Sequence, residues 1–87
     1  MKFTVAWSEE ASNELCELWA VVPDRREMTR VVDALEQQLR HNPESVGESR
    51  EKGRRVVMQS PIGMIFKVFP EDQLVQVVHV GWFPSHR

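Results

Sequence analysis

The chain has a single cysteine, Cys16, and no tyrosine. One thiol excludes an internal disulfide, and in so small a domain it fits a reducing compartment. No segment approaches the roughly 18 apolar residues that a membrane span requires. The opening Met1-Lys2-Phe3-Thr4-Val5-Ala6-Trp7 runs straight into Glu9 and Glu10, without the apolar stretch of a secretory leader. A cytoplasmic location and no membrane partner are therefore expected. Glycine is scarce, with four residues, and none forms a phosphate-cradling loop. The histidines at 41, 79 and 86 show no ligand spacing, so neither a metal nor a cofactor is expected. No histidine or nucleophile motif neighbours Cys16, which reads as a core or half-buried thiol. Nothing marks a small-molecule substrate. An excess of positive charge is also missing. The net charge is −2 and the pI about 5.9, which opposes whole-surface attraction to nucleic acid.

What is present suffices for one domain, residues 1–87, around one hydrophobic core. Residues 2–7, with Phe3, Val5 and Trp7, read as a strand. Ser8 has the chemistry of an N-cap, and Glu9 and Glu10 suit the positive end of a helix dipole. Ala11, Leu15, Leu18, Trp19 and Val22 fall at helical spacing, so a first helix spans about 9–21 and stops at Pro23. Asp24 and Glu27 make a capping-box-like pattern ahead of Met28, Val31, Val32, Leu35 and Leu39, the clearest periodicity in the chain. That second helix ends before Asn42-Pro43. A polar loop over 43–53 leads to three apolar runs around 56–58, 64–69 and 74–80, separated by Ser60-Pro61-Ile62-Gly63 and Pro70-Glu71-Asp72-Gln73. Short turns favour antiparallel pairing. The expectation is an α+β fold of order β-α-α-β-β-β, two N-terminal helices packed on one face of a mostly antiparallel sheet.

That order, at this length, resembles the RelE/ParE superfamily of toxins from type II toxin–antitoxin systems. The resemblance rests on Trp7-Ser8-Glu9-Glu10-Ala11 with Glu14-Leu15 at the strand-to-helix entry and on Leu39-Arg40-His41-Asn42-Pro43 at the exit of the second helix. It extends through Gly53-Arg54-Arg55-Val56, Gly63-Met64-Ile65-Phe66-Lys67-Val68 and Gln76-Val77-Val78-His79-Val80 in the places of the later strands. It implies a toxin held inactive by a cognate antitoxin and stopping growth through cleavage of ribosome-bound messenger RNA or through DNA gyrase. The alternative is a non-catalytic protein-binding module on the same fold that has lost toxicity. The chain departs from the RNA-cutting members in carrying Gly63 where they carry a basic residue, Trp82-Phe83-Pro84 where they carry arginine or lysine, and no tyrosine. His79 fits a histidine that many ParE-like members show near the end of the last strand.

RNA cleavage by 2′-hydroxyl attack needs a base, a cation over the phosphate charge and an acid for the leaving oxygen. Histidine is the natural proton carrier. Candidate catalytic groups are Arg55, Lys67 and His79. Strand alternation puts Arg55 with Val57 and Gln59, Lys67 with Ile65 and Phe69, and His79 with Val75 and Val77. The three converge only if those sets share the open side of the sheet. The bland readings are a hydrogen-bonded structural histidine for His79 and a solvated, aggregation-guarding lysine for Lys67. Arg50, Lys52, Arg54 and Arg55 form the one basic cluster and are candidates for binding nucleic acid or an acidic partner. Of the aromatics, Trp7 and Trp19 are expected in the core. Trp82 and Phe83 either cap the core or contact the antitoxin. His86 and Arg87 sit in a tail with little claim to a role.

Overall fold

The computed structural model describes residues 2–84. A short first strand, β1 (Thr4–Trp7), ends at Ser8, whose backbone is extended. The Ser8 hydroxyl accepts the Ala11 N–H at 3.0 Å and so starts α1 (Glu9–Val21), as expected of an N-cap. Asp24 repeats the device for α2 (Arg25–His41), accepting the Glu27 N–H at 3.0 Å. Arg40 and His41 occupy the last turn of α2, where positive charge suits the helix dipole. Met28, Val31, Val32, Leu35 and Leu39 are all buried, so the periodic stripe is the helix's core face. α1 buries far less. Ala11 is fully covered, while Leu15 and Leu18 pack against the core only in part.

The remaining strands are β2 (Glu48–Ser49), β3 (Arg54–Gln59), β4 (Ile62–Phe69) and β5 (Leu74–Trp82), in the sheet order β1-β5-β4-β3-β2. β2 to β5 pair antiparallel with their neighbours, whereas β1 lies parallel beside β5. Parallel pairing is available to β1 because the two helices carry the chain across before it returns. The sheet is therefore mixed, mostly antiparallel, with both helices packed against it. The 43–53 segment is more ordered than a plain loop. It holds β2 between one-turn 3₁₀ segments at Pro43–Ser45 and Glu51–Gly53.

Register assigns each side chain to a face. Val57, Met64 and Val80 line up across three strands, and Val68 and Val75 across two. Together with Ile62, Phe66 and Val77 they form the helix-facing side and the centre of the core. Two expectations fail here. Trp19 is 44% exposed, because it lies on the flank of α1 that looks into a groove toward α2. Cys16 lines the same groove and is exposed, not half-buried. Trp7 does pack against the core, with its indole N–H donating to Glu36 at 2.7 Å.

Candidate functional site on the open face of the sheet

The side of the sheet turned away from the helices carries, from β3, Arg54, Val56 and Met58. From β4 it carries Gly63, Ile65, Lys67 and Phe69, and from β5 Gln76, His79 and Gly81. Arg54 pairs directly with Lys67, and Lys67 with Gln76, forming one polar row. The next row on the same face is Val56, Ile65 and His79, two residues further along, or roughly 7 Å. The sheet thus sets Lys67, His79 and Arg54 on one face, Arg54 and His79 two strands apart.

It does not bring Arg55 with them. Arg55 pairs with the buried Phe66 and so belongs to the helix side. Its Nε donates to the Val46 carbonyl at 3.0 Å and its Nη2 to the Gly47 carbonyl at 3.1 Å, tying the 46–47 segment to β3. His79 also leaves the face on which strict alternation puts it. Ile65 pairs with His79 but Phe66 with Val77, so Val78 is an extra residue in β5. This β-bulge turns His79 away from Val75 and Val77. Without the bulge the imidazole would point into the core.

α1 supplies the surroundings of His79. β1 ends at its pairing with Val77, and α1 continues alongside β5 beyond that point. The Ser8 N–H donates to the Val77 carbonyl at 2.9 Å and the Ser8 hydroxyl to the Val78 carbonyl at 3.3 Å. Two turns on, Glu14 Oε1 accepts the Val80 N–H at 3.0 Å, and Oε2 lies 3.1 Å from His79 Nδ1. The Glu10 carboxylate sits 4.0 Å from Nε2. A carboxylate only accepts, so the contact with Glu14 places a proton on Nδ1. Glu10, Glu14 and His79 offer ligand atoms within 4.8 Å of one another, a grouping that ligand spacing along the sequence does not reveal. Both oxygens of Glu14 are already engaged by β5.

The basic cluster divides between surfaces. Arg50, Lys52 and Arg54, with Glu51 among them, line a concavity with Val56 and Ile65 on the open face. Arg50 forms an exposed ion pair with Glu48 at 3.0 Å. The Arg54 Nε is buried and has no hydrogen-bond partner among the described residues. The C-terminal aromatics divide too. Trp82 pairs with Ile62 and packs against the core. Phe83 is 52% exposed, and its ring lies over the Gly63–Gly81 pair, close enough that a β-carbon on Gly81 would meet it at 2.6 Å. With Met58, 56% exposed, it forms an apolar strip beside His79. His86 and Arg87 lie outside the described residues.

No protein-family model matches the chain, and no curated protein matches it by sequence. Solved structures do match. A chain of the toxin–antitoxin complex RelBE2 from Mycobacterium tuberculosis superposes with a TM-score of 0.79 at 19% identity, covering 98% of this chain and 95% of that one. A chain of the chromosomal ParDE toxin–antitoxin system of P. aeruginosa gives 0.64 at 18% identity, covering 93% and 96%. A mutant of the E. coli toxin RelE in the free state gives 0.63 at 17% identity, covering 94% and 84%. Two helices packed on a mixed five-stranded sheet match the architecture of these proteins: the chain has the RelE/ParE toxin fold.

Proposed function

We propose that this chain is the toxin of a type II toxin–antitoxin pair, acting in the cytoplasm, and that the open face of its sheet is the working surface against RNA. The observation that carries this reading is the placement of Arg54, Lys67 and His79 on that one face. Arg54 and Lys67 supply adjacent cations for a phosphate. His79, with its Nδ1 held by Glu14, presents Nε2 as the group that takes the proton from an attacking 2′-hydroxyl. Arg50 and Lys52 extend the positive edge along which the strand would run. This arrangement partly offsets the missing tyrosine and the lack of a basic residue at Trp82-Phe83-Pro84. The acid for the leaving oxygen has no assigned residue.

The antitoxin contact in this reading uses Phe83 and Met58, the exposed apolar strip beside the same face. A partner lying there blocks His79 and covers apolar surface that the small domain leaves in water. Trp82, packed on the core side, lies outside that contact.

The test is induced expression without the antitoxin, followed by mapping of transcript ends. Growth arrest with cleaved messages, both absent in His79→Ala, is the expected result. Arrest with DNA-damage signalling and intact messages points to gyrase. Normal growth with folded protein present identifies a binding module without toxicity.

A further inference from the structure

We propose that Glu14 is a positioning residue for His79, fixing which imidazole nitrogen faces the open side and in which protonation form. The inference rests on the reading of His79 as the proton-transfer group of that face. It comes from how Glu14 is held. The Val80 N–H lies past the end of β1, so Glu14 Oε1 accepts a donor that a longer first strand would have bound. That bond anchors the carboxylate on β5 itself. The second oxygen then reaches the ring of the preceding residue, at 3.1 Å from Nδ1. Helix and strand are thereby locked in one register, and the ring has one preferred orientation. Nδ1 carries the proton and Nε2 presents its lone pair when the ring is neutral. A carboxylate held by a backbone N–H that in turn orients an imidazole is the general arrangement by which proteins set a histidine tautomer. Glu10 is largely exposed and, at 4.0 Å from Nε2, lies farther from the ring than Glu14 does from Nδ1. The bulge at Val78 is part of the same device, since it alone puts residue 79 on the open face beside α1.

The substitution that isolates this role is Glu14→Gln. Its amide oxygen can still accept the Val80 N–H, so the fold is retained. Its amide N–H then confronts Nδ1 with a donor, which requires a lone pair there and moves the ring proton to Nε2. Long-range proton–nitrogen NMR on the full chain at about pH 9, above the ordinary imidazole range, reads the tautomer directly. His41 serves as an internal reference. The wild type is expected to show Nδ1–H and the Glu14→Gln variant Nε2–H, with RNA cleavage reduced roughly a hundredfold, the usual scale for losing a positioned acid or base. A wild-type ring protonated on Nε2, or a tautomer unchanged in the variant, overturns the proposal. A swapped tautomer with undiminished cleavage overturns it too. If the tautomers swap as expected but the wild type cleaves no RNA, the positioning by Glu14 stands and the nuclease reading of the face falls.

Discussion

Arg54 and Arg55 are adjacent in sequence and opposite in role, and replacing each with alanine separates the two roles. Arg55→Ala removes two hydrogen bonds from a charged donor, to the carbonyls of Val46 and Gly47 at 3.0 and 3.1 Å. The first is partly buried, next to a Val46 that is 8% exposed; the second is exposed. Taking the lower range for charged donors and discounting the exposed bond gives a loss of about 2–3 kcal/mol. For a domain of this size that is a fall in Tm of roughly 10–20 °C. Arg54→Ala removes a guanidinium whose Nε has no hydrogen-bond partner among the described residues. Its stability cost is therefore expected to stay below about 1 kcal/mol, while contact with phosphate on the open face is lost. Urea unfolding followed by tryptophan fluorescence gives the stability of each variant, and growth after induction gives the activity. The expected pattern is a destabilised, still toxic Arg55→Ala and a stable, non-toxic Arg54→Ala. Equal destabilisation by the two, or an Arg55→Ala of wild-type stability that has lost toxicity, would refute the assignment of faces.

Further outcomes follow from single contacts. Gly47 has φ of +68° and a β-carbon there would stand 2.2 Å from the Val56 carbonyl oxygen, so Gly47→Ala is expected to cost more than about 3 kcal/mol, from left-handed strain and a backbone clash together. Gly53, at φ +73° with open space around it, carries only the strain, and Gly53→Ala is expected to cost about 1 kcal/mol in the same unfolding assay. Phe83→Ala is expected to leave Tm nearly unchanged but weaken antitoxin binding by about 2 kcal/mol, or some thirtyfold, in calorimetric titration. An unchanged affinity would remove Phe83 from that interface. Leu35→Ala, at a fully buried position of α2, is expected to lose about 2–5 kcal/mol, checked by the same denaturation.

Much of the architecture was legible in the sequence because local signals and global fold agree. Ser8 and Asp24 cap the helices they were expected to cap, and the Met28-to-Leu39 stripe is the buried face of α2. The short turns did give antiparallel neighbours for the last three strands. The face of each strand residue was less legible. Alternation gives two sets per strand but not which set faces the helices, so Arg55 and Arg54 could not be distinguished. The bulge at Val78 carries no sequence signal, since Val78 is as apolar as its neighbours, and it moves His79 to the other side. Glu14 was invisible for a different reason. Its bonds to His79 and Val80 span 65 and 66 residues, and a glutamate on a first helix reads as solvated charge. Trp19 has core chemistry, but α1 turns it toward the inter-helix groove instead. The division of Trp82 from Phe83 does follow from alternation, once β5 is known to run to residue 82.

In the proposed function the sheet face opposite the helices is where the chain meets RNA. Backbone-amide NMR during titration with a short single-stranded RNA tests it most directly. Shifts are expected to concentrate at Arg54, Val56, Ile65, Lys67 and His79 and to weaken steeply with added salt. Shifts confined to the α1–α2 side around Trp19 and Thr29, with β3 to β5 silent, would contradict it.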